Sequence, residues 1–313
     1  MTRNYKTATV FGGTGFVGSL VVRELAKRGI RIKIATRVPE SAYFLKPSGS
    51  VGQVVPFACN YRDPASIALA ISGSDYVVNC IGILAEKKKG DFTRIHTDLP
   101  GEIAKACKNE GVKRFVHISA LGIEDSTSRY AQTKLEGEKL LRKNFKTATI
   151  LRPSVIFGEG DSFFNMFAEM ARYLPALPLI GGGWTRFQPV FVGDVADAVM
   201  AALEREDTPG NTYELGGPEI LNFREIYQRL FKFTGRTRPL VKIPFCMTKI
   251  QAFFVGAIPN APLTRDQVES LKTDNVVSQK ALNLEDLDIH PTALDLILPL
   301  YLETYRAGGR FAA

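Results

Sequence analysis

The stretch Gly12-Gly13-Thr14-Gly15-Phe16-Val17-Gly18 decides the reading of this chain. An apolar run, Ala8-Thr9-Val10-Phe11, leads into it, and Val17, Leu20, Val21 and Leu25 follow at helical spacing. The glycines therefore fall on a tight turn between a strand and a helix. Such a turn lets the backbone approach a pyrophosphate closely, and the helix N-terminus offers free N–H groups and a positive dipole end. The spacing is G-x-x-G-x-x-G through Gly12, Gly15 and Gly18, not the G-x-G-x-x-G of most dehydrogenases. Thr14, Phe16 and Val17 lie on the same turn and join the expected nucleotide contacts. A glycine run alone also fits a plain packing turn; the flanking strand and helix favour a nucleotide.

Outward from this turn, strands and helices alternate. Ile30 to Ala35, Val54 to Phe57, Tyr76 to Asn79, Arg114 to Ser119 and Thr147 to Leu151 read as further strands. Helices are expected after Asp63-Pro64, over Pro100 to Asn109 and over Tyr130 to Lys143. That rhythm implies an α/β fold, a Rossmann-type doubly wound parallel sheet, over residues 1–157. After Gly158 the rhythm breaks at Gly181-Gly182-Gly183 and at Pro175 and Pro178. Residues 158–313 are expected to form a smaller, mainly helical C-terminal region. About 189–217 should return to the first domain, through a short strand at Pro189 to Val192, a helix from Val195 to Glu204 and a strand at Thr212 to Leu215.

Bulk properties narrow the function. At 313 residues with 45% hydrophobic content, the chain can bury a substantial core. Lys plus Arg outnumber Asp plus Glu by 40 to 32, a net charge of +8, but the basic residues are scattered apart from Lys87-Lys88-Lys89. Nucleic acid is not an expected partner, because no basic helix interleaves with aromatics. The four cysteines form no C-x-x-C pair, and the three histidines form no metal-ligand cluster. Neither disulfides nor a metal site is expected. No apolar run reaches the roughly 18 residues needed to span a bilayer.

The candidate chemistry follows the strand ends. After strand two comes Ala35-Thr36-Arg37, where an NAD site usually carries an acid for the ribose hydroxyls. Arg37 in its place suits a 2′-phosphate, so NADPH is expected over NADH, although a surface arginine can stand there too. Asn60 and Asp63, after strand three, are expected near the adenine. Cys80, Ile81 and Gly82, after strand four, should line the ribose side. Tyr130 and Lys134 make a Y-x-x-x-K pair on one helix face. A lysine there is expected to lower the phenol's pKa and to hold a ribose, giving a general acid/base. Ser119, at the end of strand five, is placed to orient a reacting oxygen.

The glycine turn, Ser119, Tyr130-x-x-x-Lys134 and Arg152-Pro153-Ser154-Val155-Ile156-Phe157-Gly158 together resemble the short-chain dehydrogenase/reductase superfamily, in its extended or atypical branch. The resemblance implies that Pro153, Val155 and Ile156 pass near a nicotinamide. The Ser119 to Tyr130 interval is short for an extended member. A second set of segments is more specific. Ile118-Ser119-Ala120-Leu121-Gly122, Asp161-Ser162-Phe163-Phe164-Asn165, Phe187-Gln188-Pro189-Val190-Phe191-Val192, Leu263-Thr264-Arg265-Asp266-Gln267-Val268 and Leu284-Glu285-Asp286-Leu287 resemble the NADPH-binding accessory subunits of respiratory complex I, the alpha-subcomplex subunit nine family. That resemblance implies a nucleotide held for structure, on a subunit docked to other complex I subunits beside the membrane. With strand one so near the N-terminus, the expected location is bacterial cytoplasm, peripheral on the inner membrane, or the mitochondrial matrix side for a processed chain. The apolar stretch Ile243 to Ile258 is expected to meet a partner or the headgroup layer. The competing reading is a free-standing NADP-dependent reductase, epimerase or dehydratase, with the same stretch roofing a substrate pocket.

Overall fold

The computed structural model describes residues 5–245, 264–306 and 308. Its centre is a seven-stranded sheet of β1 (Thr7–Phe11), β2 (Arg31–Thr36), β3 (Val54–Ala58), β4 (Tyr76–Asn79), β5 (Arg114–Ile118), β6 (Thr149–Pro153) and β11 (Thr212–Leu215), in the order β11-β6-β5-β4-β1-β2-β3. Every pairing in it is parallel. Parallel sheets are covered on both faces, so their strands read as apolar runs: all residues of β1 and β4 are buried. Helices α1 (Phe16–Lys27) and α6 (Val192–Glu204) cover one face. Helices α2 (Pro64–Ile71), α3 (Leu99–Asn109) and α4 (Arg129–Asn144) cover the other. The strand order reverses between β1 and β4, and in such sheets a ligand crevice opens there, beyond the carboxyl ends.

Two local elements were not legible as pattern. Pro39–Ser48 winds into 3₁₀ turns, and Thr93–Asp98 forms a π-helical turn that runs straight into α3. The second depends on tertiary contact. Gly137 on α4 lies so close that a Cβ there would stand 1.8 Å from the His96 carbonyl oxygen. Strand and helix ends shift by one to three residues from the sequence expectation; β6 runs on to Pro153, and α6 begins at Val192 rather than Val195.

A second apolar core lies beyond the sheet. It packs α5 (Phe163–Tyr173), α7 (Phe223–Thr234) and α9 (Leu294–Leu302) together through Phe164, Phe167, Phe223, Tyr227, Leu230 and Leu298. Three small ladders lie outside the main sheet: β7 (Ile156–Phe157) with β10 (Val190–Phe191), β8 (Leu177–Ile180) with β13 (Leu240–Ile243), and β9 (Arg186–Phe187) with β12 (Leu221–Asn222). A further helix, α8 (Arg265–Ser270), starts at a capping box made by Thr264 and Gln267. Buried acids then pin the tail to the body. Asp194 accepts from the Thr292 N–H and hydroxyl, each at 2.7 Å, and Asp161 accepts from the Tyr301 hydroxyl at 2.5 Å. Leu284 and Leu287 enter the core that α1 and α6 form on the sheet, so the tail closes back on it.

The buried ion pair between α4 and β6 joins the same parts. Arg152 forks onto Glu138, Nε to Oε1 at 3.0 Å and Nη2 to Oε2 at 2.6 Å, and also reaches Glu124 at 2.8 Å. Both members of the Arg152–Glu138 pair are nearly enclosed. Removing one partner of such a pair strands a charge, at a cost of roughly 3–5 kcal/mol. Arg152→Leu should therefore lower denaturant stability by about that amount, whereas an exposed pair such as Lys27–Glu24 should be worth under about 1 kcal/mol when Lys27 is replaced by Ala. Equal costs in urea unfolding would overturn this assignment.

Candidate nucleotide-binding site

The glycine turn is built for close approach. Gly12 holds φ +75°, and a Cβ on it would lie 3.0 Å from the Cys80 carbonyl carbon, so this glycine lets β1 and β4 end side by side. A Cβ on Gly18 would stand 2.1 Å from the Gly12 carbonyl oxygen, which sets how closely α1 packs on the turn. Gly15 differs from both. Its backbone is extended, and the nearest atom to an added Cβ is the Gly12 oxygen at 3.3 Å. It faces open space at the head of α1, where no side chain caps the helix and no acid occupies the first turn. That is the arrangement an anionic pyrophosphate needs.

A cavity of about 780 Å³ opens from this turn. Of the residues expected from sequence, Gly15, Phe16, Val17, Gly18, Cys80, Ile81, Gly82, Ser119, Tyr130, Lys134, Pro153, Val155 and Ile156 line it together. Gly12, Thr14, Arg37, Asn60 and Asp63 do not. Gly12 lies behind the turn. Arg37 follows β2 on the exposed surface, its guanidinium 5.8 Å from the centre of the Tyr61 ring. The Tyr61 hydroxyl donates to the Ala35 carbonyl at 2.7 Å, which fixes that ring beneath the arginine. Asn60 and Asp63 spend their side chains locally: Asn60 accepts from the Arg62 N–H, and Asp63 caps α2 through the Ala65 N–H.

Ser119 is buried and its hydroxyl has no hydrogen-bond partner, as is also true of His117 Nε2 among the described residues. Of those two, Ser119 lines the cavity. A buried polar group left unpaired in a folded protein calls for a ligand or water. The open head of α1 and the exposed Gly15 thus fit a dinucleotide running from the turn toward the end of β5, where the Ser119 hydroxyl is left for a ligand. Such a cofactor supplies hydride chemistry when bound.

Tyr130 and Lys134 lie on the inner face of α4 as their spacing requires, but their charges are set differently from the expectation. Lys134 is enclosed, donates to the Ile118 carbonyl at 3.2 Å, and is brought by burial down to about 8, with Glu138 opposing the fall. The Tyr130 phenol is pushed up to about 12 by burial, and Lys134 does not depress it. A phenol that stays protonated through the neutral range is fit to give a proton at its hydroxyl, not to take one.

The surroundings of Tyr130 were not foreseen. His96 and Phe92 both set their rings against it edge to face, at 5.1 and 6.0 Å. Burial brings His96 down to about 3, so it is neutral; its Nε2 accepts from the Ile83 N–H, and its Nδ1 faces Thr133 Oγ1 at 3.2 Å. The imidazole therefore ties the loop after β4 to α4. Asp266 was singled out only as part of a tail motif. Its carboxylate accepts from the Arg129 N–H at 2.6 Å and the Tyr130 N–H at 3.0 Å, so a tail acid caps the helix that carries the site. Asn275 completes the strap: it accepts from the Ser154 hydroxyl and the Val155 N–H and donates to the Leu121 carbonyl. Sequence spacing gave no sign of these long-range bonds. Of the apolar stretch expected to dock, Ile243 ends β13 as a buried residue, while residues 246–258 lie outside the described residues.

Residues 8–216 match the NAD dependent epimerase/dehydratase family, and the chain belongs to it. Within that class it is akin to a particular group. It is 36% identical to the mitochondrial NADH dehydrogenase [ubiquinone] 1 alpha subcomplex subunit 9 of Arabidopsis thaliana, over 96% of this chain and 78% of that one. It is also 36% identical to the subunit of the same name from Mus musculus, over 92% and 78%. In fold it is similar to the triphenylmethane reductase of Citrobacter sp. complexed with NADP(H), at a TM-score of 0.72 and 21% identity, covering 92% of this chain and 97% of that one.

The glycine geometry separates two kinds of lesion. Gly15→Val should still fold, with a smaller loss of stability than Gly18→Ala, yet lose NADPH binding, because the side chain enters the space at the head of α1. Gly18→Ala should cost roughly 1–3 kcal/mol through overpacking, since its Cβ meets backbone. Calorimetric titration with NADPH and thermal melts check both; a Gly15→Val protein that binds NADPH like the parent would overturn the assignment.

Proposed function

We propose that this chain is an NADP(H)-binding accessory subunit of respiratory complex I, in which the nucleotide serves mainly as structure. The observation that carries this is kinship over almost the whole length with subunit 9 proteins, including the tail that straps the cavity. A bound dinucleotide would stabilise the native state by mass action, by about 2.7 kcal/mol at a hundredfold excess over its dissociation constant. The partners are other complex I subunits, and the place is the membrane surface on the matrix or bacterial cytoplasmic side. Among the described residues no helix is long and apolar enough to cross a membrane, so attachment is peripheral in this reading.

NADPH is the preferred form. The support is Arg37 directly after β2, held over Tyr61, with no acid between Ala35 and Arg37 to meet free ribose hydroxyls. A second reading, a free-standing NADP-dependent reductase, epimerase or dehydratase on a small or lipophilic substrate, is favoured by one observation: Ser119, Tyr130 and Lys134 line one cavity.

Affinity capture of the tagged chain from its native membranes is expected to bring down complex I subunits. Recovery of the chain alone, with NADPH consumed on a carbonyl substrate, would replace the first reading by the second. Arg37→Ala is expected to weaken NADPH about ten- to hundredfold while leaving NADH nearly unchanged, as loss of a charge-assisted phosphate contact predicts. Equal affinity of the parent for the two nucleotides in calorimetry would remove the NADPH preference.

A further inference from the structure

The cavity does not end at Ser119 and Tyr130. It continues into the second core, where its wall is Phe163, Met166, Phe167, Phe187, Phe223 and Leu271. Phe163 is the hub, with ring centres at 5.0 Å to Phe167, 5.9 Å to Phe187 and 6.0 Å to Phe223. Of the polar tail side chains on the same wall, Asp266, Ser270 and Asn275 are turned to other duties, while Thr273, like Ser162 at the head of α5, also lines the cavity. Asp266 bonds the head of α4, the Ser270 hydroxyl donates to the Asp266 carbonyl, and Asn275 holds Ser154 and Leu121. At the near end stands the buried Ser119 hydroxyl without a partner. The full cavity, about 780 Å³, is of a size that encloses whole small ligands.

We infer that the far half of this cavity binds an apolar carbonyl compound, a long-chain ketone or aldehyde whose oxygen accepts from the Ser119 hydroxyl and whose chain lies among the phenylalanines. Sugars suit its phenylalanine wall less well than such a chain does. Each hydroxyl set against phenyl rings loses its water without gaining a partner, which weakens binding. A methylene in the same place leaves water at a gain of about fourfold in affinity. The inference rests on the second reading's use of this cavity, whose ligand class it names, but not on nucleotide binding, because the wall is built by the chain's own side chains.

The test is calorimetry on the full chain with a ladder of methyl ketones from 2-heptanone to 2-tridecanone, with and without saturating NADPH. Affinity should climb by up to about fourfold per methylene until the wall is filled. Met166→Glu, at a half-buried position of the wall, should weaken 2-tridecanone by roughly tenfold or more and leave NADPH affinity as in the parent. If that variant does not fold, the ladder on the parent decides alone. Affinity that is flat along the ladder, a folded Met166→Glu protein that binds 2-tridecanone like the parent, or UDP-glucose that competes as tightly as the ketone would each overturn the inference. A rising ladder with no NADPH binding would sustain the inference and remove the nucleotide reading.

Discussion

The constraint on which the rest depends is the approach of α1 to the end of β1. The Gly12 carbonyl oxygen occupies the space that any side chain on residue 18 would need. With glycine there, the helix head comes down onto the turn, its first N–H groups open to the crevice, and β4 can end beside β1. Move the helix outward and three things fail together: the anion site, the floor under Cys80 and Ile81, and the α1–α6 layer that carries the first core.

A second principle is the use of carboxylates as fasteners. Asp161, Asp194 and Asp266 each meet backbone N–H groups or a hydroxyl in another segment, and in each case the acid holds a piece of the C-terminal third. Burial raises the carboxyls of Asp161 and Asp194, and the hydrogen bonds they accept work against that rise. Their folded pKa values exceed the unfolded ones, so these two acids favour the fold more at low pH, and that gain fades as pH climbs through the raised values. The tail is therefore attached by specific polar bonds as well as by apolar contact.

What the sequence revealed follows a physical line. Period and punctuation are local, so β1, the glycine turn, α1 and the strand rhythm could be read directly, and so could the shared face of Tyr130 and Lys134. Charge state is not local. The phenol's pKa depends on enclosure by His96, from a π-helical turn no pattern announces, and by Phe92 just before that turn. Tyr61 under Arg37 and Asp266 on the head of α4 are likewise products of folding, because their partners stand 24 and 136 residues away or are approached only across the sheet edge. The polar types at Asn60 and Asp63 suited an adenine by position alone; the local turns that absorb them are visible only with coordinates.

Asn275 joins Ser154, Leu121 and Gln188, the farthest of them 154 residues away along the chain. A ribosome delivers those partners in a fixed order. The sheet from β1 to β6 is complete as a segment long before residue 275 emerges, and domains form in that order during synthesis. Until then the crevice is an open trough with one wall missing, and the head of α4 lacks its acid. Enclosure of the cavity is thus a late event in the life of each molecule, set by the final portion of the chain, so a truncated product would carry the whole sheet and still hold no closed site.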